Sequence, residues 1–267
     1  VDAGITVRRD LRRTLLESEA RTMVAASRRR YSEPTMIAVK RDHWILIALL
    51  LATSAISVIS HERGISDWLE VFAFVSGALC VWLTVKENVW NFPVSLLNVL
   101  AFGFVFFRTR LFGDAALQVV YFVLTIQGWY LWLYGGEQHS KLRISRCPRR
   151  EAAAVAAAGL FVTAGLATFL RHVNGAIPLF DATTTALSLC AQYLLNRKYL
   201  ENWHCWIAAD IIYIPIYAYK GLWLTSLLYA IFLGMAIMGF VEWQGRYREL
   251  SRRDDPLAVP IMEADLA

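Results

Sequence analysis

The sequence predicts an all-α polytopic membrane protein, and three observations carry that prediction. Of its 267 residues, 57% are hydrophobic, and the apolar residues run in blocks that approach the roughly 20 needed to cross a bilayer core. Charges gather at the ends of those blocks, which are joined by short connections such as VKEN, NRKYLE and KG. Basic residues crowd alternate connections, the pattern by which membrane proteins set their orientation. The net charge of +5 is therefore a topology signal, and no nucleic-acid partner is expected.

About eight spans follow from the blocks, at 44–60, 67–85, 89–107, 113–134, 152–170, 180–195, 203–219 and 222–243. Before them lies a basic arm, 1–43, with no apolar core of a signal peptide. It is expected either to lie on anionic lipid or to be upstream sequence ahead of a start at Met23 or Met36. With the N-terminus inside, the inner segments hold 22 Lys and Arg and the outer loops hold 5. Both termini of this multi-pass chain are thus expected in the cytoplasm.

An internal repeat organises the spans. Shifting the region from Leu69 forward by 111 positions brings Glu70 onto Asp181, Lys86 onto Arg197 and Asn91 onto Asn202. The same shift brings Gly128 onto Gly239 and Trp132 onto Trp243. Three helices per unit and one helix between them make the repeats parallel, as in some transporters. The expected domains are the arm (1–43), an extra helix and loop (44–66), a first three-helix bundle (67–136), a basic loop and linking helix (137–179), a second three-helix bundle (180–245) and a tail (246–267). The linking span, EAAAVAAAGLFVTAGLATFL, is Ala-rich and reads as a spacer.

The polar residues inside the spans point to a binding surface. In the block from Leu200 to Lys220, Asn202, Trp206 and Asp210 recur at i, i+4 and i+8, and Tyr213 and Tyr217 extend that face. An ionisable residue at this depth marks a functional site by default; the plainer role for Asp210 is to tie two helices together. The equivalent block of the first unit places Asn91, Ser95 and Asn98 on one face. Gln118, Gln192 and Tyr229 add polar groups from neighbouring spans. Some of these are expected to be interhelical ties and the rest to line a central site. Amides, phenols, indoles and one carboxylate suit hydroxyls, an amide and a delocalised cation. No Lys or Arg lies within a span to pair a phosphate, so a nucleoside fits better than a nucleotide.

Other classes find less support. The four Cys and five His show no metal-ligand spacing, so no metal and no cofactor is expected. His204 and Cys205 are adjacent in sequence and point apart on a helix, so no nucleophile–base pair assembles. An enzyme is therefore not expected. A receptor that docks partners on the basic loop at 141–150 is the other rival, although that loop already serves topology. Self-association into a homo-oligomer is left open by the sequence.

Two stretches resemble the PnuC-type vitamin transporters. The first, KENVWNFPVSLLNVLAFGFVFFRTRLFGDAALQVVYFVLTIQGWYLW, is similar to the family signature, with its N-x6-N, L-Q-V and G-W-Y-x-W. The second, beginning NRKYLENWHCW, is similar to the matching region of the other bundle. The resemblance covers residues 67–245 and implies two parallel three-helix bundles joined by a linking helix, 3+1+3, as in the SWEET sugar transporters. It implies facilitated diffusion of nicotinamide riboside, trapping by a cytosolic kinase, and supply of NAD synthesis. Thiamine, riboflavin and deoxynucleosides are the substrates of relatives. The binding positions it implies are Asn91, Asn98, Gln118, Asn202, Trp206 and Tyr229. At position 210 the resemblance implies Asn, so Asp210 is a departure.

Overall fold

The structure is a computed structural model that describes residues 44, 47–48, 51–59, 61–62, 64, 68–108, 110, 112–173, 177–219, 221 and 223–253. The chain divides into Val1–Ala48 and Leu49–Ala267. Of the first unit only Trp44, Ile47 and Ala48 are described, all helical and exposed. The arm at 1–43 and residues 254–267 of the tail lie outside the described residues.

The second unit is all-helical, as the composition predicts. After a helical run at 51–59 come α1 (Trp68–Val85), α2 (Asn91–Arg108), α3 (Phe112–Tyr134), α4 (Arg149–His172), α5 (Pro178–Asn196), α6 (Asn202–Tyr219) and α7 (Trp223–Arg253). A short 3₁₀ turn, Glu137–His139, precedes α4. Windows within α2, α3, α4 and α7 are long and apolar enough to cross a membrane. Large apolar side chains such as Leu97, Phe104, Val123, Phe161 and Val241 stand exposed on their surfaces, which suits lipid rather than water. α5 and α6 carry polar residues along their length, among them Thr184, Ser188, Gln192 and Asp210. α7 runs ten residues beyond the predicted span end at 243, ending in the charged stretch to Arg253.

Local chemistry sets the helix ends. Pro178 opens α5 at its first turn, where its missing N–H is no loss. In α4, Glu151 sits in the first turn and Arg171 and His172 in the last, matching the helix dipole. The α1–α2 and α5–α6 connections turn through Glu87 (φ 57°) and Lys198 (φ 52°). The left-handed region costs a side-chain-bearing residue roughly 1–2 kcal/mol, so both positions keep a charged side chain against a backbone preference for Gly.

α1 packs on α2 and α2 on α3; α5 packs on α6 and α6 on α7; α4 packs on α5. The two sets touch where α1 meets α7 and α3 meets α5. The link from α4 to α5 is polar at one end: Tyr193 and Tyr199 hydroxyls donate to the two Glu151 carboxylate oxygens at 2.7 and 2.9 Å.

The interior core sits at one end of the bundle, the end that carries the basic loops. Val85, Phe92, Trp132, Ile144, Leu195, Leu200, Trp203 and Trp243 form it. Its contacts recur at the offset of 111 positions. Trp132 donates its indole N–H to the Leu195 carbonyl at 3.1 Å, and Trp243 donates to the Thr84 carbonyl at 3.1 Å. Phe92 packs edge-on to Trp132 with ring centres 5.0 Å apart, and Trp203 packs edge-on to Trp243 at 5.5 Å. Trp132 and Trp243 meet each other at 5.9 Å. The Asn91 amide donates to the Asn88 carbonyl, and the Asn202 amide to the Tyr199 carbonyl.

Below this aromatic layer lies a chain of charges. Lys198 pairs with Glu87 at 2.5 Å, Glu87 with Arg246 at 3.1 Å, Arg246 with Glu242 at 2.7 Å, and Glu242 with Lys86 at 2.7 Å. Burial pulls the Lys198 ammonium below the ordinary lysine value, and the Glu87 carboxylate beside it pulls it back up. The basic loop does more than set topology. Its Ser145 pairs with the turn at 198–200 through two backbone hydrogen bonds of 3.1 and 3.0 Å, and the Leu142 carbonyl accepts from Lys198 at 2.8 Å.

The aromatic layer leaves no room at Gly239, where an added Cβ would overlap the ring of Trp203, itself held edge-on by Trp243. At Gly234, one turn and a residue earlier, an added Cβ meets nothing within 4 Å. Gly239→Ala is expected to destabilise the protein by about 1–3 kcal/mol, the usual cost of overpacking, and Gly234→Ala to be neutral or stabilising. Thermal unfolding in detergent checks this, and equal melting temperatures for the two variants would contradict the packing described.

Candidate functional site

Directly above the aromatic layer the helices leave a cavity of about 320 Å³. That volume falls at the lower end of small-molecule sites, which span roughly 300–1,000 Å³. Its floor is Thr84, Asn91, Phe92, Leu195 and Trp203, residues at the ends or first turns of their helices. Its walls come from α1 (Ala73, Phe74, Gly77, Cys80), α2 (Ser95, Asn98, Phe102), α5 (Ser188, Gln192), α6 (Trp206, Ala209, Asp210, Tyr213) and α7 (Tyr229, Phe232).

The cavity brings together seven of the nine residues that the sequence singles out: Asn91, Asn98, Gln192, Trp206, Asp210, Tyr213 and Tyr229. Two stand outside its lining. Asn202 is fully buried at the first turn of α6, where its amide N–H is spent on the Tyr199 carbonyl and its carbonyl oxygen has no partner. Gln118 is half-buried on α3 with its Cβ 3.5 Å from where a Cβ would sit on Gly103. Ser188, Trp203, Phe102 and Phe232 also line the cavity, and sequence reasoning passed over them. The 111-position register offered a signal for one: Phe102 is the counterpart of Tyr213.

Several polar groups are already engaged. Asn98 donates to the Ala73 carbonyl at 2.5 Å and to the Ser76 hydroxyl at 2.9 Å, tying α2 to α1. Gln192 donates to the Asn196 side chain at 2.9 Å. Cys80 and Ser95 are linked at 2.6 Å. The Trp203 indole N–H is buried without a partner, an unusual state for a polar atom. Asp210 is 6% exposed, and no side chain among the described residues is hydrogen-bonded to it or forms an ion pair with it. A carboxylate with no protein partner in an apolar setting is costly.

Aromatic rings form the wall beside the acid. Tyr213 and Tyr229 have ring centres 4.6 Å apart, Tyr229 stacks on Tyr217 at 5.1 Å, and Phe232 meets Tyr229 edge-on. The counterpart wall in the first set of helices is apolar, with Phe102 stacked on Phe106 and edge-on to Phe74. The cavity is therefore two-sided. One side offers an acid and phenols, and the other offers Ser95, Asn91 and Asn98 backed by phenylalanines. Among the described residues, no Lys or Arg lines it, and no cluster of His, Cys, Asp or Glu could hold a metal. A second hollow, about 360 Å³ between α4 and α5, is lined mostly by Ala, Val, Leu and Gly, and its Glu151 is already bonded to Tyr193. It lacks convergent polar groups.

Membrane-crossing helices wrapped around an enclosed site of this kind define a small-molecule membrane transporter. The nicotinamide mononucleotide transporter family matches residues 67–245, and the chain belongs to that family, the family of the PnuC proteins. It is 31% identical over 214 residues to the nicotinamide riboside transporter PnuC of Escherichia coli (strain K12), covering 70% of this chain and 89% of that one. It is 25% identical over 189 residues to the riboflavin/roseoflavin transporter RibM of Streptomyces davaonensis, covering 69% and 88%. The crystal structure of the vitamin B3 transporter PnuC matches with a TM-score of 0.61 at 24% identity, over 77% of this chain and 92% of that one. That likeness shows the fold. The family and its solved member are transporters, not enzymes.

The two kinds of polar residue are expected to behave differently without ligand. Asn98→Ala removes two donors between helices and should lower the melting temperature, by the equivalent of about 1–2 kcal/mol. Asp210→Asn removes an uncompensated acid and should leave the melting temperature unchanged or raised. Thermal unfolding of the ligand-free protein checks both, and a lower melting temperature for Asp210→Asn would make that acid structural.

Proposed function

We propose that this chain carries nicotinamide riboside, a pyridinium nucleoside, across the membrane by facilitated diffusion with alternating access. The observation that carries the reading is the Asp210 carboxylate, unpartnered in a cavity walled by Tyr213, Tyr229 and Trp206. A flat aromatic cation stacks on such rings and supplies the charge that the acid lacks. Ribose hydroxyls then face Ser95, Asn91 and Asn98. The resemblance of the chain to nicotinamide riboside transporters supports this assignment.

The absence of Lys and Arg from the cavity lining speaks against a phosphorylated ligand, which would need such a partner. Trapping therefore falls to a cytosolic kinase that phosphorylates the nucleoside after entry, feeding NAD synthesis. The chain is read as two parallel three-helix units with α4 between them, and the recurrence of contacts at 111 positions supports that reading. It places the basic end and both termini in the cytoplasm of a prokaryote, by the excess of Lys and Arg there. A riboflavin carrier is the second reading, favoured by the likeness to RibM, but a neutral flavin would leave Asp210 without a counter-charge.

Two measurements test the assignment. Proteoliposomes preloaded with unlabelled nicotinamide riboside should accumulate the labelled compound by counterflow, with riboflavin failing to compete. Asp210→Asn should weaken equilibrium binding of nicotinamide riboside about tenfold, near 1.4 kcal/mol, with any weak riboflavin binding unchanged. Preferential counterflow of riboflavin, or an affinity for the pyridinium nucleoside indifferent to Asp210→Asn, would overturn it.

A further inference from the structure

We infer that the charge chain Lys198–Glu87–Arg246–Glu242–Lys86, with the tryptophan layer above it, is the gate that closes the cavity at the basic end. This rests on the alternating-access reading, which requires that each end of the path open in turn. The floor of the cavity, at Thr84 and Leu195, lies one residue from the ends of α1 and α5. Among the described residues, two layers that join the sets of helices lie between that floor and the surface, with the basic loop bonded to Lys198 beside them.

Both layers include contacts that cross between the two sets of helices. In the upper layer, Trp132 of α3 holds the Leu195 carbonyl of α5, and Trp243 of α7 holds the Thr84 carbonyl of α1. The lower layer joins the α1–α2 turn to α7 and to the α5–α6 turn. Glu87 is shared by Lys198 and Arg246, and Glu242 by Lys86 and Arg246. Arg246 also donates to the Lys86 carbonyl at 3.1 Å. Away from this end, the aromatic contacts along the cavity walls stay within one set: Phe74 and Phe102 in the first, Tyr213, Tyr229 and Phe232 in the second.

The chemistry suits a reversible closure. The acids and Lys86 keep between 21% and 24% of their side-chain surface exposed, whereas Lys198 keeps 6%, so the Lys86–Glu242 pair is the weaker link and the Lys198–Glu87 pair the stronger. A rocking motion can break such pairs and rehydrate the charges, which a dry apolar plug of equal size would resist. Alternation of sign along the chain lets the same partners find each other again. Glu87 and Lys198 occupy matching positions, 111 residues apart, and both hold left-handed backbone, so the closing pair sits where the two sets of helices meet. Backbone cost retained at a switch region is a recognised feature of such sites.

Cys80, whose thiol lines the cavity, reports on the gate directly. In a background with Cys147, Cys190 and Cys205 replaced by Ala, a membrane-impermeant thiol reagent is applied to oriented vesicles from the basic end. A thiol reacts as its thiolate, which entering water favours. Lys86→Glu and Glu242→Lys are each expected to speed modification of Cys80 from that side about tenfold, the measure of a tenfold shift toward the open state. The double variant restores the opposed pair at positions 86 and 242, while position 242 then repels Arg246, and should return the rate part of the way toward that of the unaltered gate. Modification from the other side should not rise in any variant, which also shows that each is folded. Unchanged rates in the single variants, or a double variant as fast as the singles, would overturn the gate. The assay uses no ligand. Failure of nicotinamide riboside counterflow in the unaltered protein would remove the substrate assignment and leave this result standing.

Discussion

The structure depends on an exchange of hydrogen bonds between its two sets of helices. Trp132 and Trp243 each reach across to the carbonyl one residue before the end of the other set's first helix. That carbonyl belongs to the last turn of a helix and already accepts from the turn that follows, Thr84 from the Glu87 N–H and Leu195 from the Lys198 N–H, both at 2.9 Å, so the indole takes up its second lone pair. Each indole thus satisfies its own N–H and fastens its helix to a helix end of the other set. The aromatic bulk of Phe92, Trp203 and the two tryptophans supplies apolar contact where lipid would otherwise offer no drive for helices to associate. With this end held, the helices can diverge above it and leave a cavity.

From that constraint the functional features follow in order. The packed end forms the floor of the cavity, the helices of both sets form its walls, and their unequal sequences make it two-sided. Positions equivalent by the 111-residue register differ where chemistry is needed. Asp210 stands opposite Val99, Tyr213 opposite Phe102, and Trp206 opposite Ser95. The cavity is therefore asymmetric, with acid and phenols from the second set and small hydroxyl and amide groups from the first. An asymmetric small molecule with a charged ring and a polyhydroxyl portion matches that division.

Much of the fold was legible because a bilayer restricts what a chain can do. Long apolar blocks must be helices there, since every backbone group needs an internal partner, and the helix bounds agree closely with blocks such as 113–134 and 203–219. The polar residues inside the blocks were equally visible, and most of them line one cavity. What the sequence could not reveal is how each polar atom is spent. Asn98 looks the same on a helical wheel whether it faces a ligand or ties two helices, and here its amide N–H groups tie α2 to α1. Asn202 shares a helical face with Trp206 and Asp210, yet it lies at the first turn, where the Tyr199 carbonyl, which also accepts from the Asn202 backbone N–H, takes its amide. The charge chain was hidden for a different reason. Lys86, Glu87, Lys198, Glu242 and Arg246 are far apart in sequence and read as loop charges that orient the protein. Only the fold brings them into one line under the cavity.

In the proposed function a ligand is held between an acidic aromatic wall and a hydroxyl and amide wall. A structure determined with nicotinamide riboside bound tests this most directly. The pyridinium ring should lie against Tyr213 and Tyr229 with its charge toward Asp210, and the ribose toward Ser95 and Asn98. Ligand seated outside this cavity, or with its ring on the Phe74–Phe102 side and Asp210 untouched, would contradict it.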